Sequence, residues 1–370
     1  MPRIDLAQDV VTLTRQLVDI ESVSLGEEPI ADAVEAALRE LPHLHVTRRG
    51  NTVVARTELG AANPTGERVI LAGHLDTVPV NDNLPSRLEG DLLYGLGTCD
   101  MKGNDAVILR LAHTVREPVR DLTLLFYDAE EIAAEHNGLR HLAESDPDLL
   151  AGDFAILMEP SNASVEAGCQ GTLRVEVRTQ GERAHSARSW RGVNAIHGAA
   201  DILNRLQAYQ PRRPVIDGLT YHEGLNAVFI SGGVAGNVVP DECVVTVNHR
   251  FAPDRTEEEA LAYVQEFFEG YDLTVTDLAP GALPGLDRPA ASAFIEAVGG
   301  RVAPKFGWTD VARFTALGVP AVNYGAGDPL LAHKQEEHVP VAELRHCEEA
   351  LRTWLTSLPD TRTDQTEEPA

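Results

Sequence analysis

Apolar residues recur at helical spacing near the start of the chain. They follow one another at steps of three and four, which places them on one face of a helix. The spacing predicts a first helix that starts after Asp5 as its N-cap, and a second helix over residues 30–41. The apolar positions of these two helices are Leu6, Val10, Leu13, Leu17 and Ile20, then Ile30, Val34, Leu38 and Leu41.

Short continuous apolar runs follow the two predicted helices. They cover residues 52–55, 69–72, 122–127 and 154–158. Strands that are apolar on both faces are typical of a parallel or mixed sheet that is covered by helices. The predicted fold class is therefore α/β, with a mixed central sheet flanked by helices.

The pattern changes between residues 172 and 277. The predicted elements there are strands at 172–179, 226–234, 243–251 and 273–276, with helices at 194–206 and 256–268. The order β-α-β-β-α-β is that of a ferredoxin-like α+β unit. We therefore predict one domain made of residues 1–171 and 278–370, interrupted by an inserted domain at 172–277.

The chain beyond the insertion returns to the first pattern. Helices are predicted at residues 291–298 and 341–358, with a strand at 321–324 between them. The tail from Pro359 is polar, and we predict that it is disordered.

Composition narrows the possible functions of this chain. Its 370 residues suggest two domains, or one large domain with an insertion, and a hydrophobic fraction of 43% is ample for a packed core. A net charge of −26 argues against nucleic acid or an anionic membrane as the main partner. No apolar run is long enough to span a bilayer, and the N-terminus lacks the apolar segment of a signal peptide. Four separated cysteines without a CxxC motif predict reduced thiols in a cytoplasmic protein.

Polar side chains follow three of the predicted buried strands. His74 and Asp76 follow the run at 69–72, residues 128–131 follow the run at 122–127, and Glu159 follows the run at 154–158. Ligands of open α/β sheets bind beyond the carboxyl ends of the strands. Three strands that deliver histidine or carboxylate to one edge predict a metal site there, although each acid alone is equally compatible with a helix cap.

Two further segments add possible metal ligands. A glycine-rich loop at residues 94–103 surrounds Asp100, and it lacks the GxGxxG pattern of a dinucleotide site. Near the C-terminus, His333 and His338 both qualify as ligands on residue type alone. Imidazole mixed with carboxylate suits zinc, manganese or cobalt, and a carboxylate can bridge two such ions.

Adjacent Glu130 and Glu131 suggest a division of labour, since one carboxylate can bind metal while the other acts as a base. Asp76 lies two residues after His74, which is close enough to accept the proton of its second ring nitrogen. Nucleophile-elbow, HExxH and P-loop motifs are absent from the sequence. Cys99 and Cys169 have no evident activating partner, so we interpret them as buried thiols.

These motifs together resemble the M20 metallopeptidase family, and the resemblance extends over nearly the whole chain. The segments that carry it are residues 74–79 (HLDTVP), 100–103 (DMKG), Glu130-Glu131, Glu159-Pro160 and His333. The resemblance implies a co-catalytic dizinc amidohydrolase with a zinc-peptidase-like catalytic domain. It also implies that the inserted domain is a lid and dimerisation domain.

The resemblance also implies a role for each matching residue. His74 and Glu159 would bind one zinc ion, Glu131 and His333 the other, and Asp100 would bridge the two. Glu130 would be the general base, and Asp76 would orient His74. A cis peptide bond is expected between Asp100 and Met101. In the insertion, His185 would stabilise the oxyanion in the partner subunit of a homodimer, and Asn237 and Arg250 would contact substrate.

Other segments favour a small anionic N-acyl amino acid as substrate. Residues 166–171, 184–190 and 305–310 resemble an actinobacterial subgroup of the family that hydrolyses N-succinyl-LL-2,6-diaminopimelate to succinate and LL-2,6-diaminopimelate. Five arginines between positions 174 and 191 either capture carboxylates or alternate on an exposed strand. Another M20 deacylase of the acetylornithine type, a dipeptidase, and a catalytically silent homologue are the alternatives. A silent homologue is disfavoured because the base and all five ligands are present.

Overall fold

The computed structural model describes residues 2–286 and 289–358, so the predicted disordered tail from Pro359 lies outside the described residues. Within this range the chain forms two compact units. The first covers the chain up to Glu166, Leu286–Ala303 and the chain from Arg313 onward. The second covers Ala167–Gly285 and Pro304–Ala312, and is longer at both ends than the predicted insertion.

Helices of the first unit surround a central sheet, and two helices belong to the second unit. In chain order the helices are α1 (Val10–Val18), α2 (Glu28–Arg39), α3 (Lys102–Thr114), α4 (Gly138–Ser145), α5 (Ala195–Ala208), α6 (Glu257–Phe267), α7 (Pro289–Ala297), α8 (Val311–Ala316) and α9 (Val341–Thr356). Among the described residues, none of these helices combines the length and apolar character needed to span a membrane.

Strands occupy much of the remaining chain. They are β1 (His45–Arg49), β2 (Thr52–Arg56), β3 (Arg68–His74), β4 (Arg87–Glu89), β5 (Leu92–Tyr94), β6 (Asp121–Tyr127), β7 (Phe154–Leu157), β8 (Val165–Ala167), β9 (Gly171–Gln180), β10 (Ala184–His185), β11 (Val215–Ile216), β12 (Leu219–Thr220), β13 (Gly224–Gly232), β14 (Val238–Val239), β15 (Glu242–Phe251), β16 (Asp272–Ala279), β17 (Val302–Pro304), β18 (Ala321–Asn323) and β19 (His338–Pro340).

The central sheet of the first unit has the order β1-β2-β6-β3-β7-β18-β8-β17. Strands β6, β3 and β7 are parallel neighbours, whereas β1 and β2 pair antiparallel, so the sheet is mixed as predicted. The register aligns His74 with Tyr127 and Ala72 with Leu157. The carboxyl ends of β6, β3 and β7 therefore lie side by side, and the residues that follow them meet at one edge.

The first helix begins later than the pattern predicts. Asp9, and not Asp5, is the N-cap of α1, because its side chain accepts the backbone N–H groups of Val11 and Thr12. Asp5 accepts the N–H of Ala7 in a preceding turn. Leu6 is buried although it precedes the helix, which explains why it matched the helical spacing.

The second unit contains a four-stranded antiparallel sheet in the order β13-β15-β9-β16. The helices α5 and α6 connect its strands, and Thr256 opens α6 with a reciprocal capping box to Glu259. Apolar side chains of β9 and β15 pack with these helices in a separate core around Val175, Val245 and Val264. β13 is an edge strand of this sheet.

Candidate metal centre

His74 is the last residue of β3, and its ring is held in one orientation. Nδ1 lies 3.0 Å from the main-chain oxygen of Asp76 and 3.5 Å from the Asp76 carboxylate. Because a carbonyl oxygen can only accept, the neutral ring donates its proton from Nδ1, and Nε2 is left free to bind a metal. Asp76 therefore faces the His74 ring with its backbone oxygen and, at longer range, with its carboxylate.

Asp100 lies between two histidines that are far apart in sequence. Its Oδ1 is 3.0 Å from Nε2 of His74, and its Oδ2 is 3.5 Å from Nε2 of His333. The same His333 nitrogen lies 3.0 Å from Oε1 of Glu131. Possible ligand atoms of His74, Asp100 and Glu131 all lie within 4.8 Å of one another. A carboxylate with one imidazole on each oxygen has the arrangement of a bridge between two cations.

The third predicted carboxylate ligand, Glu159, follows β7 and is buried. Counting two residues on from the aligned pair Ala72 and Leu157 brings Glu159 level with His74 at the same sheet edge. The structure also has a cis peptide bond between Asp100 and Met101, which confirms that prediction.

The charges of the cluster show that its donors fit a cation. Burial alone would lower the pKa of His74, but the carboxylates of Asp100 and Asp76 outweigh this effect and raise the pKa well above its usual value. Contacts with Asp100 and Glu131 raise the pKa of His333 to about 10. Burial would raise the pKa of Asp100, but the two imidazoles lower it overall. The carboxylates therefore need positive charge, which either imidazolium protons or divalent ions can provide.

Two buried carboxylates hold the turn that carries Glu130 and Glu131. Asp76 accepts the N–H of Glu130 through Oδ1 (3.0 Å) and the N–H of Glu131 through Oδ2 (3.1 Å). The Ser24 hydroxyl also donates to Oδ2, at 2.7 Å. Glu27 accepts the N–H of the preceding residue, Ala129, at 3.1 Å. Three consecutive N–H groups, from Ala129 to Glu131, are thereby held in place.

Sequence reasoning missed Glu27 and Glu337, the two buried glutamates that support the cluster. Burial raises the pKa of Glu27, and burial together with the charge of Asp100 raises the pKa of Glu337 to about 7 although backbone N–H donors oppose the shift. His338, the alternative ligand, lies elsewhere: its ring packs on Tyr94 with centroids 4.7 Å apart, and its Nδ1 is 2.8 Å from the Glu336 carbonyl oxygen.

Cys99 and Cys169 are buried thiols, as the sequence predicts. Burial raises the pKa of Cys99 far above its usual value and that of Cys169 to about 11. Neither sulfur is a thiolate near neutral pH, so neither is an activated nucleophile.

The second unit brings His185 and Asn237 together. His185 ends β10, which pairs with β14, and Asn237 directly precedes β14. The Ser186 N–H donates to the Asn237 carbonyl at 2.9 Å, so the two predicted substrate residues lie on neighbouring segments. Both side chains are exposed. Arg250, on β15, is half-buried, and its Nη1 has no hydrogen-bond partner among the described residues.

Most arginines between positions 174 and 191 pair with acids of this chain, which favours alternation on an exposed strand over capture of carboxylates. Arg178 pairs with Glu242 at 2.7 Å, Arg183 pairs with Asp241 at 2.7 Å, and Arg174 lies 3.8 Å from Asp277. Each of these three arginines therefore has an acidic partner within the second unit. Arg188 and Arg191 are the exposed remainder of the stretch.

With this geometry, the chain belongs to peptidase family M20/M25/M40, whose family model matches residues 70–357. It is 55% identical to a putative succinyl-diaminopimelate desuccinylase, DapE, of Mycobacterium tuberculosis, over 95% of this chain and 99% of that protein. It is 48% identical to the succinyl-diaminopimelate desuccinylase of Corynebacterium glutamicum, over 96% and 98% of the two chains. The crystal structure of aminopeptidase PepT from Bacillus cereus has the same fold, with a TM-score of 0.76, 18% identity, and coverage of 95% and 98%.

Proposed function

We propose that this protein is a metal-dependent amidohydrolase that cleaves N-succinyl-LL-2,6-diaminopimelate into succinate and LL-2,6-diaminopimelate. The observation that carries the proposal is the position of Asp100, with one imidazole nitrogen near each of its oxygens. The identity of about half to the two desuccinylases, over almost the full length of each, supports the choice of substrate.

In this proposal His74 and Glu159 would hold one divalent ion, Glu131 and His333 would hold the other, and Asp100 would be shared between them. Zinc is the ion we propose, with cobalt and manganese as substitutes that the same donors accept. When bound, a pair of such ions lowers the pKa of a shared water and polarises the amide carbonyl. Every ligand belongs to the first unit of the chain.

Glu130 is the general base in this proposal. It accepts the proton of the attacking water and then donates it to the departing amine, so that no proton is gained or lost over the cycle. Its main chain is anchored to the buried Asp76 carboxylate, which leaves the side chain to move protons without moving the metal ligands. Arg250 binds a substrate carboxylate through its unpartnered guanidinium nitrogen.

Substrate choice is tested with a panel of N-acylated amino acids on zinc-loaded protein. We expect kcat/KM to be highest for N-succinyl-LL-2,6-diaminopimelate, and the Arg250→Lys variant to raise KM because an ammonium does not place a donor where the guanidinium Nη1 lies. A preference for N-acetylornithine or for an unmodified dipeptide would replace this substrate with that of another M20 enzyme.

The same proposal includes a homodimer that forms through β13. This edge strand exposes Val228, Phe229 and Ile230, with 57%, 64% and 47% of their surfaces accessible. An open apolar edge of this kind pairs readily with a second copy, which also protects it. We place His185 in the active site of the partner subunit.

The dimer is tested by mixing two inactive variants, His185→Ala and Glu130→Gln. If His185 acts in the partner subunit, a mixed dimer has one intact site and activity returns. If the subunits exchange and activity stays absent, the role of His185 in the partner is wrong. Phe229→Glu should yield monomers in light scattering, whereas the same change at a solvated position such as Val215 should leave dimers.

We also place the protein in the cytoplasm. The four cysteines are free and buried, which is compatible with a reducing compartment.

A further inference from the structure

We propose that Glu337 is a positioning residue that fixes the loop of Asp100 to the loop of His333. The inference rests on the proposed metal-binding role of these two residues. Glu337 does not touch substrate in this account. It acts by setting the main chain from which the bridging carboxylate projects.

The Glu337 side chain binds the Asp100 loop through a single oxygen. Its Oε1 accepts the N–H of Cys99 at 2.9 Å and the N–H of Asp100 at 3.1 Å. Glu337 is 1% exposed, so water cannot replace these bonds without reorganisation. Two consecutive N–H groups that converge on one atom fix the orientation of the peptide plane between them. That peptide plane sets the position of the main chain from which the Asp100 carboxylate projects.

The Glu337 main chain binds both loops as well. Its N–H donates to the carbonyl of Lys334, the residue after His333, at 3.1 Å. Its carbonyl accepts the N–H of Gly95, at the start of the glycine-rich loop, at 3.1 Å. Residues 334–337 therefore form a closed turn that is attached to the Asp100 loop through main chain and side chain.

This double attachment explains how two ligands from distant parts of the sequence are kept in register. Asp100 and His333 come within 3.5 Å of each other, although they belong to separate loops. Partners behind the ligands of a metal site commonly change metal affinity 10–100-fold when they are removed. Loss of the Glu337 acceptor should therefore weaken metal binding without removing any ligand.

Because both N–H groups donate to the same Glu337 oxygen, the proposal predicts different effects for different substitutions of Glu337. Glu337→Gln keeps an acceptor at the same distance from the main chain, so both N–H bonds can persist without the charge. Glu337→Asp keeps the charge but is shorter by one methylene and cannot reach both N–H groups. Glu337→Ala removes the acceptor altogether and leaves two buried donors unpaired.

Asp121 provides a control for the loss of a partly buried carboxylate oxygen that accepts two hydrogen bonds. Its Oδ1 accepts the Leu59 N–H and the Thr57 hydroxyl, each at 2.9 Å. Asp121 begins β6, at the opposite end of that strand from the candidate metal centre. Asp121→Ala should therefore destabilise the fold but leave metal affinity within threefold of the unaltered protein.

The test is Zn²⁺ affinity, measured by competition with a chromophoric chelator, beside urea unfolding of the metal-free proteins. We expect Glu337→Ala and Glu337→Asp to bind at least one Zn²⁺ about 10–100-fold more weakly, and Glu337→Gln to stay within threefold. Unchanged affinity in Glu337→Asp, or a Glu337→Gln defect as large as that of Glu337→Asp, would overturn the proposal. This comparison holds even if Glu337→Ala fails to fold.

The measurement separates this inference from the proposed function. Zn²⁺ affinity is determined without substrate. If the unaltered protein binds zinc but releases no succinate, the proposed substrate is wrong while the role of Glu337 is still decided.

Discussion

Replacement of Asp76 by Asn is the most informative perturbation of the candidate metal centre. The carboxylate is completely buried, and each of its two oxygens accepts one backbone N–H, from Glu130 and from Glu131. An amide of the same size has one oxygen and one NH₂ group. One N–H bond can therefore persist, whereas the other N–H must face a second donor.

The size of the effect follows from those contacts. A hydrogen bond to a charged group contributes about 1.5–3 kcal/mol, and an unsatisfied buried donor costs about 1–3 kcal/mol. The two figures partly count the same lost interaction, so their sum is an upper bound. We therefore expect Asp76→Asn to lower the free energy of unfolding by about 2–4 kcal/mol. The displaced turn carries a metal ligand, so Zn²⁺ affinity should fall about 10–100-fold.

Ser24→Ala is the matched control for this prediction. It removes only the hydroxyl that donates to Oδ2 and leaves both backbone bonds in place. Its cost should be about 1 kcal/mol, with Zn²⁺ affinity nearly unchanged. The assay is chelator competition together with urea unfolding. Equal effects of the two substitutions, or normal metal affinity in Asp76→Asn, would refute the reasoning.

Two further predictions concern other buried positions, one in the second unit and one beside His74. Burial lowers the pKa of His249 to about 4; Glu223 favours the charged ring, whereas Arg255 and Arg212 oppose it. Between pH 6.5 and 4 the unfolded chain therefore binds a proton more readily than the folded protein does. The free energy of unfolding should decrease as the pH is lowered through that window. The second unit should therefore lose about 2 kcal/mol in urea unfolding between pH 7.5 and 5, and His249→Phe should flatten this dependence; equal slopes would contradict the assignment. A Cβ atom at Gly73 would overlap a carboxylate oxygen of Asp105, so Gly73→Ala should lower the free energy of unfolding by about 1–3 kcal/mol. Gly307→Ala is the control, because its added methyl group meets open space. Equal thermal midpoints of the two variants would count against this packing around Gly73.

Much of the metal centre was predictable because it follows from strand ends. His74, Glu131 and Glu159 each follow a continuous apolar run, and parallel neighbours must deliver such residues to one edge. The helix α6 was predictable for a similar reason, since its Thr256 capping box is encoded within four residues. Local patterns of this kind need no knowledge of distant contacts.

The supporting residues were not predictable, because their roles depend on distant main-chain groups. Glu337 receives N–H groups from residues that lie more than two hundred positions earlier, and no spacing in the sequence marks it. It stands in a run of polar residues in a very acidic chain, where an acid at the surface is the ordinary expectation. Helix α3 was missed for a different reason: most of its residues are buried, so it lacks an amphipathic repeat.

The central claim is that Glu131 binds metal while its neighbour Glu130 transfers protons. It is tested most directly by measuring bound zinc and succinate release on the same samples of Glu130→Gln, Glu131→Gln and unaltered protein. We predict two zinc ions per chain and no turnover for Glu130→Gln, and loss of zinc for Glu131→Gln. Loss of zinc from Glu130→Gln with full retention by Glu131→Gln would show that the two roles are reversed.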